Sequence, residues 1–434
     1  MVEKTISAPS RLNGSLSVSG DKSISHRLLM LGSIASGKSV IENLSPCDDC
    51  RSTMRCLKAL GVSINRDRNT HGRITIHGKG SDSLGEPSNV LNAGNSGTTA
   101  RLLSGILAAQ PFISIITGDK SLRSRPMKRL IDPLKLMGAD IEGRSSGTLA
   151  PLVIKGSRLY GINYKIPVAS AQIKSAILLA SLFADSDTIL YETALTRDHT
   201  ERLLIQMGAS ITTHKNTIRI SPISKQLKAM HVKVPGDFSS AAFWIVAGLI
   251  HPDASIVIKG CGLNPTRTGL IEILVKMGAD IRITNRHLAA NEPVADIHVR
   301  SSHLNGTEIK GAIIPRLIDE IPVLAVAACF AYGKTIVRDA SELRAKESDR
   351  ITTLTAELAK MGASIEELPD GMIIHGGQKL RGTTVDSHND HRLAMSLAIA
   401  ALGSRGTTTL RGSDAVSISY PEFWQHMDML TNRI

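Results

Sequence analysis

The sequence predicts an α/β protein built from about six copies of one repeat, and three observations predict it. First, a short phrase recurs five times: LKALGVSI (57–64), LKLMGADI (134–141), LIQMGASI (204–211), LVKMGADI (274–281) and LAKMGASI (358–365). Second, a polar start followed by about a dozen apolar and small residues, a turn and a short strand occurs six times around these phrases. Third, the phrase glycines at 61, 138, 208, 278 and 362 are spaced by 77, 70, 70 and 84 residues, so one repeat is about 70 residues long.

The first phrase reads as the end of an amphipathic helix, closed by a left-handed glycine and followed by a strand. The apolar stretch of the second phrase is too long and too rich in Ala and Leu for a strand, so it reads as a buried helix. Its six copies open as DKSISHRLL (from 21), NSGTTARLL (95), SAQIKSAIL (170), GDFSSAAFW (236), DEIPVLAVA (319) and NDHRLAMSL (389). The last copy runs into WQHMDML, a degenerate form of the amphipathic helix. A solenoid is the default architecture for repeats. The irregular period and the chemically distinct polar starts argue against simple stacking.

A chain of 434 residues exceeds one core, so two domains are expected. Hydrophobic residues are 42% and charged residues 21%, an ordinary globular balance. Apolar runs such as 321–332 are too short to span a bilayer, and MVEKTISAPS is neither a signal nor a transit peptide. A soluble, cytoplasmic, monomeric enzyme is the expectation. Five scattered cysteines argue against a disulfide framework. Cys47-Asp48-Asp49-Cys50 has no second pair to complete a zinc site and reads as incidental. The net charge of +12 admits anionic partners, but aromatics at 3% supply no stacking platform for single strands, so neither nucleic acid nor membrane is expected as a partner.

The starts of the buried helices are the chemically richest places. A helix start presents unpaired N–H groups and partial positive charge, which suits anions. The starts offer Lys22, Ser23, His26 and Arg27; Asn95, Ser96, Gly97, Thr98 and Arg101; Ser170, Gln172 and Lys174; Asp237, Ser239 and Ser240; Asp319 and Glu320; and Asn389, Asp390, His391 and Arg392. Ser, Asp and Asn there are also ordinary caps. Arg27 and Arg101 lie inside apolar runs, and a cation there needs a partner or a ligand. A helix terminus contributes about 0.3–1 kcal/mol per anion, a charge-assisted hydrogen bond about 1.5–3 kcal/mol. The side chains hold, and the helix starts position.

Two motifs mislead. Gly32 to Ser39 fits the GxxxxGKS pattern, but a helix precedes it and a strand follows, the reverse of a P-loop. His388 and His391 have no evident third metal ligand, so packing and capping are expected of them and no metal is expected.

Eight segments in order, SGDKSISHR, NAGNSGTTARLL, GDKSLRSRPM, SAQIKSA, TRDHTERLL, IDEIPVLAVAA, RAKESDRI and NDHRLAM, resemble the signature segments of the 5-enolpyruvylshikimate-3-phosphate synthase family over essentially the whole chain. The resemblance implies the two-domain enolpyruvyl transferase fold: six βαβαββ repeats, three per domain, as an inside-out barrel that closes over its substrates. It implies a discontinuous domain, 1–20 plus 237–434, and a second, 21–236. It implies transfer of the enolpyruvyl group of phosphoenolpyruvate to shikimate 3-phosphate, with no metal or organic cofactor.

Carried over position by position, Lys22, Ser23 and Arg27 match contacts to shikimate phosphate, and Lys22 also reaches phosphoenolpyruvate. Asn95 and Gly97 match a close backbone wall beside phosphoenolpyruvate, and Arg125 an arginine that binds it. Ser170 and Gln172 match phosphate and substrate contacts, with Arg197 as a further one. Asp319 matches the acceptor near the attacking hydroxyl. Lys346, Glu347 and Arg350 match substrate, proton-transfer and phosphoenolpyruvate roles, and Arg392 a further phosphoenolpyruvate arginine. Asp319, Glu347 and Lys22 are the expected catalytic residues. The chain departs from many members at VSISYPEF, where Ile418 stands in the place of a lysine. That cation is missing or supplied from elsewhere. The nearest rival is the related transferase acting on UDP-N-acetylglucosamine. Its mobile loop carries a reactive cysteine, and GDKSLRSRP has none.

Overall fold

The computed structural model describes residues 2–67, 70 and 72–431. The chain divides into two compact units: 1–19, 235–288 and 293–434 form one, and 20–234 with 289–292 form the other. The first is called here the discontinuous unit and the second the continuous unit.

Among the described residues, five of the six sheets have four strands in one shared order. In the continuous unit, Leu91–Asn92 pairs parallel with Ile113–Thr117. Ile113–Thr117 then pairs antiparallel with Leu149–Lys155, which forms a hairpin with Asp140–Gly143. Buried Ile116, Ile141, Leu152 and Ile154 point one way on these strands, as period-two alternation requires. The sheet led by Asn163–Lys165 repeats this pattern. The sheet containing Ser36–Glu42 takes its leading strand from the far end of the unit, His231–Lys233, with His231 opposite Val40.

The discontinuous unit follows the same rule. Leu12–Leu16 leads the sheet of Ala254–Gly262, pairing parallel with it. Glu3–Ser7 pairs antiparallel with Thr407–Arg411. Among the described residues that sheet has three strands, so the sixth repeat is shorter than the sequence phrase suggests. There the N-terminal strand takes the place of a hairpin. The six sheets are separate, and no sheet closes into a barrel among the described residues.

The six apolar phrases are helices: Lys22–Ile34, Gly97–Leu107, Ala171–Ser181, Phe238–Ile250, Ile321–Phe330 and His391–Leu402. They are buried nearly all round, as helices apolar on every face must be. Three of them fill the core of each unit. The amphipathic helices lie over the sheets, and the glycines that end five of them, 61, 138, 208, 278 and 362, all have φ between +83° and +100°. Only glycine takes that conformation without a Cβ penalty. No helix among the described residues is long and apolar enough to cross a membrane.

Candidate active site

Capping explains much of the polarity of the helix starts. Asp21, Ser96, Ser170, Asp237 and Asp390 each accept a backbone N–H of the first turn. The fifth helix has no side-chain cap and enters through Pro322. The residues just inside each start are left for other work.

In the continuous unit the three starts are joined side chain to side chain. Lys22 Nζ lies 2.9 Å from Asp49 Oδ2. Ser23 gives its carbonyl to Arg27 Nη1 at 2.9 Å. Arg27, 3% exposed, also donates from Nε to Thr200 Oγ1 at 2.6 Å and from Nη2 to Ser175 Oγ at 2.7 Å. His26 Nδ1 meets Thr53 Oγ1 at 2.6 Å, Thr53 meets Thr99, and Thr99 meets Ser96, a buried hydroxyl chain from the first start to the second. Burial, then Lys22 and Arg27, hold the His26 pKa well below its usual 6.5.

The second and third starts share a cationic cluster. Arg101 Nη1 donates to Gln172 Oε1 at 2.8 Å, and Gln172 Nε2 donates to Thr98 at 3.0 Å. Arg125 Nη2 donates to Asn95 Oδ1 at 2.6 Å, and Asn95 Nδ2 to Asp119 at 2.7 Å. Gly97 lies beneath both arginines: a Cβ there would stand 2.6 Å from Arg101 Nη1 and 3.4 Å from Arg125 Nη1. Lys174 turns away into the core, 2.7 Å from Glu201 and 3.1 Å from Glu192. Burial pushes the Glu201 carboxyl up, against the pull of Lys174. Arg197 is half-buried in the loop before the helix His199–Gln206.

In the discontinuous unit the starts gather carboxylates. Asp319 Oδ1 is 3.3 Å from Lys346 Nζ and 3.6 Å from Arg350 Nη1. Arg350, 2% exposed, also reaches Glu347 at 2.6 Å and Asp390 at 2.8 Å from Nε and 3.1 Å from Nη2. Burial opposes its charge, but Asp390, Glu347 and Asp319 raise its pKa above the usual arginine value. Arg392 lies 3.8 Å from Glu320 and 6.0 Å from the centre of the Phe243 ring. Ser239 donates a short hydrogen bond to Glu320, and buried Arg267 donates to Ser239 at 2.5 Å.

Asp49, Ser175, Thr200 and Arg267 are site neighbours that sequence reading missed. Asp49 sits in the CDDC segment and Thr200 in TRDHTERLL, where three consecutive buried polar residues precede an apolar face. Ile418 packs against the core of the discontinuous unit, so the segment VSISYPEF is held by apolar contact at that position.

The misleading motifs resolve. Gly32–Ser39 runs from a helix into a strand. His388 pairs with Glu357 at 2.8 Å. Cys47 and Cys50 are buried at the start of the helix Asp48–Ala59, and no disulfide is present. Among the described residues, Asp198, His199 and Glu292 are close enough to hold a metal ion. Arg202, 2.8 Å from Asp198 and 3.9 Å from Glu292, already supplies positive charge there.

Repeated βαβαββ units with polar helix starts are the architecture of the enolpyruvyl transferases. The enolpyruvyl transferase NikO from Streptomyces tendae, 20% identical, has a TM-score of 0.81 over 98% of this chain and 96% of that one. The family model for EPSP synthase (3-phosphoshikimate 1-carboxyvinyltransferase) matches residues 6–427. The chain belongs to that family. It is 53% identical to the 3-phosphoshikimate 1-carboxyvinyltransferase of Chloroflexus aurantiacus and 51% identical to that of Herpetosiphon aurantiacus, over 98% of both chains in each case. The EPSP synthase structure from Acinetobacter baumannii, 42% identical, has a TM-score of 0.87 and covers 99% of this chain and 98% of its own.

Proposed function

We infer that the protein transfers the enolpyruvyl group of phosphoenolpyruvate to the 5-hydroxyl of shikimate 3-phosphate and releases phosphate, the reaction of a 3-phosphoshikimate 1-carboxyvinyltransferase in chorismate and aromatic amino acid biosynthesis. Identity above 50% over 98% of the chain to enzymes of that name supports the assignment. The observation that carries it in the structure is the cluster of Arg101, Arg125, Asn95 and Gln172 around Gly97. Two guanidinium groups close together suit a small molecule with both a carboxylate and a phosphate.

The chemistry allots the roles. The 5-hydroxyl loses a proton while C3 of phosphoenolpyruvate gains one, and C2 takes the hydroxyl oxygen to give a tetrahedral intermediate. Phosphate then leaves as C3 returns a proton. Acid and base therefore exchange duties. Asp319 orients or deprotonates the hydroxyl, and Glu347 and Lys22 serve C3 and the leaving phosphate. Lys22, Ser23, Arg27, Ser170 and Gln172 bind shikimate 3-phosphate, with Lys346 on the same substrate. Asn95, Gly97, Arg125, Arg350 and Arg392 serve phosphoenolpyruvate. In this reading the functional domains are 1–20 with 237–434, and 21–236, and the enzyme works as a cytoplasmic monomer.

Phosphate release is measured with phosphoenolpyruvate and either shikimate 3-phosphate or UDP-N-acetylglucosamine as acceptor. Turnover with shikimate 3-phosphate alone is expected. Turnover with the UDP-sugar, or with neither, overturns the assignment.

A further inference from the structure

The first turn of the helix His199–Gln206 has three consecutive buried polar side chains, which together reach three other elements. His199 Nδ1 lies 2.7 Å from Glu292 Oε1, and both side chains are 1% exposed. Thr200 Oγ1 receives the Nε–H of Arg27 at 2.6 Å and donates to Ser175 Oγ at 2.8 Å. Glu201 pairs with Lys174 at 2.7 Å. Lys174 is the neighbour of Ser175, the second hydroxyl on Arg27. The turn is therefore pinned on both sides of Thr200.

The acceptors around Arg27 explain what this accomplishes. Its Nε, Nη1 and Nη2 each donate to a neutral oxygen: Thr200, the Ser23 carbonyl and Ser175. A guanidinium is a rigid planar fork, so three bonds from three different nitrogens fix its plane.

We propose that Thr200 is a positioning residue that orients Arg27 toward the phosphate of the acceptor substrate, and that the His199–Glu292 pair holds the turn on which Thr200 sits. The proposal rests on the functional reading above. Nothing in it requires Thr200 to touch a substrate. The hydroxyl acts through Arg27, and Glu292 acts through His199 and the turn.

The test uses calorimetric binding of shikimate 3-phosphate together with steady-state kinetics, in wild type, Thr200→Val, Thr200→Ser, Glu292→Gln and the Thr200→Val/Glu292→Gln double variant. Valine keeps the shape and removes the hydroxyl, and serine keeps the hydroxyl. Thr200→Val is expected to weaken shikimate 3-phosphate binding about tenfold or more, since a hydrogen bond to a charged group is lost. The KM for phosphoenolpyruvate stays within about twofold, and Thr200→Ser restores binding. Glu292→Gln weakens the same binding in the wild-type background and adds little to Thr200→Val, the non-additivity expected of residues acting in one chain. Binding of shikimate 3-phosphate by Thr200→Val within about twofold of wild type overturns the proposal. Equal loss for both substrates with a falling Tm, unrelieved by serine, also overturns it, because that is what a merely structural hydroxyl would do. Because binding needs no turnover, a wild type that binds shikimate 3-phosphate but releases no phosphate refutes the functional reading while Thr200 is still judged. A wild type that does not bind it refutes both.

Discussion

Gly97→Ala should damage catalysis while sparing the fold. The glycine opens the helix Gly97–Leu107 beneath two arginines. A methyl group there would stand 2.6 Å from Arg101 Nη1, so that guanidinium must retreat by roughly 0.8 Å before the contact is ordinary. Arg101 Nη1 is also the donor to Gln172 Oε1, at 2.8 Å. A retreat of that size stretches the bond past the useful hydrogen-bond range. Losing one hydrogen bond to a charged group costs about 1.5–3 kcal/mol, or about tenfold to 150-fold in affinity. Arg125 Nη1, at 3.4 Å, is only grazed. Stability should hold, because the clashing atom is the far end of a long side chain and alanine gains about 0.5–1 kcal/mol over glycine in a helix. The assay is phosphate release with each substrate varied in turn, beside a thermal melt. The expected result is a KM for shikimate 3-phosphate raised about tenfold or more through Gln172, a smaller effect on phosphoenolpyruvate through Arg125, and an unchanged or raised Tm. A shikimate 3-phosphate KM within twofold of wild type would refute the argument that Gly97 keeps room for the arginines.

Three further outcomes follow from the same geometry. Lys174→Met leaves Glu192 and Glu201 buried without their cation, and breaking such a pair costs about 3–5 kcal/mol. The urea midpoint should drop sharply, and a midpoint near wild type would show that the triad contributes nothing. Asp319→Asn should lower kcat about 10²- to 10⁴-fold, the range for a lost general base, with shikimate 3-phosphate still bound. Near-normal turnover would remove Asp319 from proton transfer. His26 is buried with its pKa below the usual 6.5, so the unfolded chain takes up a proton that the folded state resists. Its share of stability is present above pH 6.5 and declines below it by up to about 1.4 kcal/mol per pH unit. Urea melts at pH 7.5 and 5.5 should show a smaller pH loss for His26→Gln than for wild type, and an identical loss would rule His26 out as the source.

The repeat was legible because its marks are local. A glycine at the end of an amphipathic phrase encodes a left-handed residue, and all five phrase glycines have positive φ. An Ala- and Leu-rich stretch encodes a buried helix without reference to anything distant. The strands were less legible, since strands of two to five residues carry little periodicity. What pairs with Ser36–Glu42 or with Ala254–Gly262 depends on segments near 232 and 14, far away in sequence, and no local pattern announces that. The site shows the same division. Arg27 and Arg101 are conspicuous as cations inside apolar runs. Ser175 and Thr200 are not, because a hydroxyl within a helix is ordinary and the partner they hold lies 148 and 173 residues away in sequence.

Capping and the holding of charged side chains occupy successive positions at the helix starts. Where Asp21, Ser96 and Ser170 cap, the oxygen is spent on the backbone, and the cations one to six residues further on remain for other partners. Where the cap is absent, at the fifth helix, the Glu320 carboxylate goes instead to Ser239 and faces Arg267 and Arg392. The helix start therefore decides where a charged side chain is held, and the residue that follows decides the sign. Six copies of one backbone solution thus present cations in the continuous unit and carboxylates with their counter-cations in the other. This is why substitutions at the caps should lower stability, whereas substitutions a turn further on should change affinity and rate.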